Sequence, residues 1–137
     1  MSVQRIDGFF YGLFMDQQLL RAAGTEPVDI RPAYVDGYGL RIGERATLLR
    51  TPSGRAWGML IALTRAEFDH LYSAPGLDSY RPEALVAHTI DGEVVPAVCY
   101  NLAHAPDPHE RNPEYAARLK LVLARLGFPD EYIETIG

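Results

Sequence analysis

The sequence falls in the α+β class, with one curved and mixed sheet, and three patterns lead there. Short runs of strand character dominate, helical periods are few, and neighbouring strands are joined as hairpins by turn signals. A chain of 137 residues, 47% hydrophobic and 23% charged, is expected to form a single domain, 1–137, with a core that needs no disulfide or metal staple.

Phe9-Phe10-Tyr11-Gly12-Leu13-Phe14-Met15 reads as a buried strand running out through a glycine into a short helix, Asp16 to Ala23, stopped by Gly24. A strand-to-helix turn of this kind leaves backbone N–H groups without partners in the field of a helix N-terminus, a setting suited to a carboxylate or another anion. Gly12 removes the Cβ that would hold a ligand off the backbone. The plainer account is a tight turn with Phe14 and Met15 in the core, since short local motifs have many false matches.

Pro27 to Val35 reads as extended, Asp36-Gly37-Tyr38-Gly39 as a turn, and Leu40-Arg41-Ile42 as a short alternating strand. Ala46-Thr47-Leu48-Leu49-Arg50 and the run from Ala56 to Leu63 are strands, and Thr51-Pro52-Ser53-Gly54 predicts a hairpin between them. The second run is apolar almost throughout, as in a central strand covered on both faces, with Trp57 in the core. Thr64-Arg65-Ala66-Glu67 is a capping box whose helix runs through Phe68, Leu71 and Tyr72 and breaks at Ser73-Ala74-Pro75-Gly76.

Tyr80 to Ile90 and Val94 to Leu102 bracket Asp91-Gly92, a strong hairpin signal. Pro96 cannot donate to a ladder, which puts its strand at an edge or gives it a bulge. His104 to Arg111 is a polar loop. Asn112-Pro113-Glu114 then supplies a cap, a proline at the first position and an acid in the first turn of a helix. Tyr115, Leu119, Val122 and Leu126 share one face of that helix, Gly127 stops it, and Pro129 to Ile136 forms a last turn.

The charge balance narrows the function classes. A net charge of −5, with Lys120 the one lysine, provides no clustered basic surface for phosphates, so no nucleic-acid partner is expected. No apolar stretch approaches a membrane span, and Met1-Ser2-Val3-Gln4-Arg5 lacks the apolar segment of a signal peptide. Cys99 is the single cysteine, which excludes an internal disulfide and fits a reducing, cytoplasmic compartment. In its apolar strand pattern it reads as a buried inert thiol. His104, Asp107, His109 and Glu110 invite a metal reading, but Pro106 and Pro108 and the lack of regular structure favour a solvated loop, so no metal and no cofactor is expected. His70 and His88 read as surface residues.

In this order the motifs resemble the gamma-glutamylcyclotransferase-like family. Phe10-Tyr11-Gly12-Leu13 is similar to the family's N-terminal Tyr-Gly loop, and Ala33-Tyr34-Val35-Asp36-Gly37-Tyr38-Gly39-Leu40 to its second-strand signature. Trp57-Gly58-Met59-Leu60-Ile61 is similar to its central strand. Tyr115 through Tyr132, ending Leu126-Gly127-Phe128-Pro129-Asp130-Glu131-Tyr132, is similar to its C-terminal helix and tail. The resemblance implies a half-open mixed β-barrel with short peripheral helices. It also implies a cavity over the Tyr-Gly loop, formed by Tyr11, Gly12, Leu13, Phe14 and Met15 with Tyr80 beside it. In the family, backbone N–H groups there polarise a γ-carbonyl and a glutamate takes a proton from the substrate's α-amine, releasing 5-oxoproline without cofactor or metal.

This sequence departs from the family at the base. The stretch corresponding to the family's Leu-Asp-x-x-Glu-Gly is Phe68-Asp69-His70-Leu71-Tyr72-Ser73, with Tyr72 in the glutamate's place, or Pro75 if Gly76 is aligned with the family glycine. A tyrosine near its ordinary pKa of about 10 is a poor base at neutral pH. Asp69 is a possible substitute, and Asp78 and Glu83 are further candidates, although charged side chains are mostly solvated. The Ser/Thr of the binding loop is also replaced, by Leu13. With Tyr72 either lining the cavity or half-buried in the core, the pocket is expected to be more aromatic than one for a zwitterion. The resemblance therefore implies a small-molecule ligand, γ-glutamyl or a related amide, and weak or absent cyclotransferase activity. The alternative is a non-catalytic binding or sensor module. A monomer or weak homodimer, without membrane partners, completes the expectation.

Overall fold

The structure is a computed structural model and describes residues 4–137; Met1, Ser2 and Val3, part of the segment read for a leader, lie outside the described residues. Five strands form the sheet: β1 (Arg5–Phe10), β2 (Val28–Ile42), β3 (Ala46–Thr64), β4 (Tyr80–Thr89) and β5 (Val94–Leu102). They make a closed barrel in the order β1-β3-β2-β4-β5. All neighbours are antiparallel except β1 and β5, which meet in parallel at the single pair Gly8↔Val98. The mixed barrel implied by the resemblance is present, and its half-open side is closed by that one bridge.

β2 and β3 make one long ribbon, paired from Val28↔Ala62 to Ile42↔Ala46. Two expectations change here. Asp36 to Gly39 is no separate turn but part of β2, and Thr51-Pro52-Ser53-Gly54 does not reverse the chain. The register passes from Asp36↔Arg55 to Tyr38↔Arg50, so residues 51–54 bulge out of β3 opposite Gly37, whose φ is 85°. A turn-rich tetrapeptide serves a bulge as well as a hairpin, and here both flanks pair with β2 rather than with each other. Gly54 is needed in the bulge, because a Cβ there would stand 2.5 Å from the Tyr38 carbonyl oxygen. The chain reverses instead at Gly43-Glu44-Arg45, where Gly43 N donates to Arg45 O at 3.0 Å.

The core fills the barrel from β3, whose Leu60, Ile61 and Leu63 are fully buried, and from the helix that follows β5. That helix, α3 (Pro113–Arg125), comes after a single 3-10 turn (Leu13–Met15), α1 (Gln17–Ala22) and α2 (Arg65–Leu71), and precedes α4 (Asp130–Glu134); the numbering follows the chain. Asn112 caps α3 by accepting from Tyr115 N at 3.0 Å, and Gly127, with φ 82°, ends it. Ala116, Leu119, Val122 and Leu123 form its buried face. Truncating Leu119 or Leu123 to alanine removes ~2–5 kcal/mol of packing.

The Thr64 capping box of α2 is formed, with Glu67 N donating to Thr64 Oγ1 at 3.1 Å and Thr64 N to Glu67 Oε1 at 2.8 Å. The Asp91-Gly92 hairpin joins β4 and β5 as expected, with Gly92 at φ 95°. Pro96 sits opposite Val86 in the ladder with β4, on the strand that flanks the weak closure. Among the described residues, no helix is long and apolar enough to cross a membrane.

Candidate functional site

At one end of the barrel a cavity of about 290 Å³ opens over the glycine bend. Its floor is Tyr11, Gly12, Leu13 and Phe14, and the tyrosines 72, 80, 100 and 115 wall it. Of the residues expected to form the cradle, Met15 is the exception. Its side chain is fully buried beneath the 3-10 turn and does not reach the cavity, because a 3-10 turn directs successive side chains about 120° apart.

The bend is clamped from above by α3. The Tyr115 hydroxyl accepts a hydrogen bond from Leu13 N at 3.3 Å. At the other end of α3, Arg125 Nη2 reaches Asp16 Oδ2 at 3.1 Å, and Asp16 in turn caps α1 by accepting from Gln18 N. A Cβ on Gly12 would lie 2.5 Å from Tyr115 Oη, so glycine is required here to admit the chain's own phenol. One of the backbone N–H groups expected to face a ligand, that of Leu13, is thus already engaged. The sequence marked Tyr115 only as one member of a helix face; no local signal joins it to a bend 102 residues away.

The other phenols are similarly occupied. Tyr11 Oη donates to the Tyr100 carbonyl at 2.7 Å, and Tyr80 Oη donates to the Ala46 carbonyl. Tyr72, by contrast, makes no side-chain hydrogen bond among the described residues and faces the cavity. It lies flat on Tyr100, with ring centroids 3.9 Å apart and planes 8° apart. Phe68 continues the column on the far side of Tyr100 at 5.7 Å, and Phe10 stacks on Phe68 at 6.1 Å. Gly8 makes room for Phe68, whose ring would stand 2.7 Å from a Cβ at that position. The column fixes the plane of the Tyr72 ring.

Burial pushes the Tyr72 phenol well above its ordinary pKa, with the neighbouring Cys99 and Tyr80 adding to the effect. Tyr11, Tyr80 and Tyr115 are also raised, chiefly by burial. At neutral pH the cavity is therefore walled by neutral phenols, able to donate hydrogen bonds but unable to accept a proton from an ammonium group.

The candidate acids lie elsewhere. Asp69 is exposed on α2 and does not line the cavity, although its charge is felt at the Tyr100 phenol. Pro75 and Asp78 are exposed in the loop after α2 and do not line it either. Glu83 is held on another part of the barrel by Tyr38 Oη at 2.7 Å and Asn101 Nδ2 at 3.4 Å. The acidic residue that does line the cavity is Glu44, exposed beside Arg45. Sequence reasoning missed both of these residues, which sit in the β2–β3 connection with no motif around them.

The polar loop from His104 is stapled internally. Glu110 accepts from Glu44 N at 2.9 Å and from Asp107 N at 2.8 Å, and Asp107 Oδ1 accepts from His109 N at 2.8 Å. Those carboxylates order backbone, and among the described residues no group of three or more His, Cys, Asp or Glu is placed to hold a metal. Cys99 is buried within the barrel, its thiol pKa raised by burial, and its Sγ donates to Asn101 Oδ1 at 3.7 Å. His70 is exposed, and His88 is partly covered by stacking on Tyr34.

Residues 8–118 match the family model described as gamma-glutamyl cyclotransferase, AIG2-like. The chain belongs to this family. Solved structures of the same fold include one titled gamma-glutamyl cyclotransferase, at 16% identity and TM-score 0.77, with 96% of this chain aligned to 86% of that one. An uncharacterized protein from Homo sapiens aligns at 18% identity and TM-score 0.74, over 96% of this chain and 85% of its own. YkqA from Bacillus subtilis aligns at 21% identity and TM-score 0.77, over 96% of this chain and 52% of its own, so this chain spans about half of that protein. A search of curated protein sequences finds no match.

Proposed function

We propose that the cavity over the Tyr11–Phe14 bend binds a small molecule, and that the chain releases 5-oxoproline from γ-glutamyl amines weakly or not at all. One observation carries this reading. Tyr72, which the resemblance puts in place of the family's proton acceptor (or Pro75 if Gly76 is aligned with the family glycine), is a neutral, stacked phenol whose pKa burial has raised. Cyclisation requires the substrate's ammonium to lose a proton before the amine attacks, and a general base contributes ~10²–10⁴-fold to such a step. Leu13 N–H, one of the bend's candidates for polarising the γ-carbonyl, is engaged by Tyr115. The lone buried Cys99 supports a reducing, cytoplasmic setting.

The deciding experiment assays the purified chain against γ-glutamyl amines, γ-glutamyl dipeptides and glutathione for 5-oxoproline, with thermal melts in parallel. The expected result is little or no product. Turnover at ordinary enzyme rates overturns the reading. The second reading, a non-catalytic binding or sensor module, is favoured by the aromatic lining of the cavity. It predicts ligand-dependent stabilisation without product, ~2.7 kcal/mol at a ligand concentration of 100 Kd.

A further inference from the structure

The chemistry of the mouth and that of the interior differ, and together they define a ligand. Inside, the walls are rings and aliphatic chains, among them Phe10, Phe14, Leu19 and Leu77, and three of the phenols are committed to backbone groups. At the mouth stands Arg45, exposed, its guanidinium lying over the loop after α2 with Nη2 3.2 Å from where a Cβ on Gly76 would be. Arg5, Arg31, Arg50, Arg55 and Arg125 each pair with a carboxylate within 4.0 Å. Arg45 does not, and it makes no side-chain hydrogen bond among the described residues.

We propose that this cavity takes an amphipathic carboxylic acid, with an aromatic or branched aliphatic body against the tyrosine walls and its carboxylate on Arg45 at the rim. The proposal rests on the reading of the cavity as a ligand site and specifies its ligand class. A volume of about 290 Å³ is roughly twice the ~150 Å³ that accommodates benzene, enough for one ring and a short chain. A planar guanidinium suits a carboxylate through two parallel hydrogen bonds.

The neighbouring Glu44 carboxylate sets the competing possibility, an ammonium head group. Arg45 is favoured because its charge reaches the cavity wall, where it counteracts the upward shift of the Tyr80 phenol, whereas Glu44 has its backbone N–H and carbonyl tied to Glu110 and Asn112 on the loop side.

The test titrates the full chain with 3-phenylpropanoate, its neutral amide 3-phenylpropanamide, and 3-phenylpropylamine, followed by NMR shifts of Leu13, Phe14 and Tyr72. The acid is expected to bind about tenfold tighter than the amide, a difference of ~1.4 kcal/mol. In Arg45→Gln, an exposed substitution, that preference should vanish while amide affinity stays unchanged. Equal binding of acid and amide, a preference that survives R45Q, or tighter binding of the amine overturns the ligand class but leaves a ligand cavity in place. Failure of every probe to shift those residues overturns the cavity reading and the ligand class with it.

Discussion

Two polar regions of this barrel handle their hydrogen-bond donors in opposite ways. Around Glu83, donors converge on a carboxylate: Tyr38 Oη at 2.7 Å and Asn101 Nδ2 at 3.4 Å, with Arg50 at 3.8 Å. Asn101 also accepts from Leu48 N at 3.1 Å, which joins the carboxylate to the buried ladder. Around the cavity the paired donors are turned to the protein itself, Tyr11 and Tyr80 on carbonyls and Leu13 N on Tyr115, which leaves the Tyr72 hydroxyl and the Arg45 guanidinium at the rim without a partner among the described residues. The fold thus holds an ionised acid of its own on one side, whereas on the other it holds none and keeps its unpaired cation at the rim.

The largest expected effect lies on the Glu83 side. Asn101→Ala strands the buried Leu48 N–H and removes a donor from Glu83, at a cost of ~2–4 kcal/mol in urea unfolding. Its effect on ligand binding at the cavity should be small; lost binding without lost stability would break the contrast. Next is Gly12→Ala, which forces a methyl against Tyr115 Oη and costs ~1–3 kcal/mol. Because φ at Gly12 is −112°, alanine itself is unstrained there, and Tyr115→Phe should relieve most of the penalty. A double-mutant cycle without coupling between the two would refute the clamp.

Glu67 sharpens the contrast as a second supported acid. It accepts from Thr64 N at 2.8 Å and Glu26 N at 2.6 Å and lies 3.4 Å from Arg5. Burial works to raise its pKa, but the backbone hydrogen bonds outweigh burial and hold it below the ordinary carboxylate value. The stabilisation is therefore present above the unfolded-state pKa and is lost as pH falls through the lower folded value. Glu67→Gln should cost ~1 kcal/mol at neutral pH and progressively less in melts carried from pH 5 toward pH 3. The smallest effect is Tyr72→Phe, whose hydroxyl makes no hydrogen bond among the described residues: within ~0.5 kcal/mol of wild type. It should also leave any residual 5-oxoproline release unchanged. A loss of activity would show that the phenol takes part in the chemistry.

What could be read from the sequence follows the range of the interactions involved. Asp91-Gly92, the Thr64–Glu67 box, the Asn112-Pro113 start and the Gly127 stop were readable because each is settled within a few residues. Thr51 to Gly54 was misread as a reversal, since turn residues carry no information about which strand will pair beyond them. The cavity floor at Tyr11–Phe14 was visible as a strand leading into a glycine, and Tyr72 and Tyr80 line the same cavity. Met15 was misassigned because its direction depends on a 3-10 turn that its sequence does not announce. Tyr115, Glu44 and Arg45 were invisible as site residues. What brings them to the bend is the docking of α3 and the β2–β3 connection, and both depend on packing across the whole chain.

The one parallel pair between Gly8 and Val98 has a consequence for how the molecule breathes. The β2–β4 seam holds two pairs, Ala33↔Thr89 and Tyr34↔His88, and the remaining seams hold long ladders, so the single β1–β5 pair is the cheapest place for a transient opening, and amides along it should exchange with deuterium earliest among the strands. Phe9 and Phe10 follow directly on that strand and form part of the cavity lining, so the same fluctuation is a route by which solvent, or a guest, reaches the space between the rings.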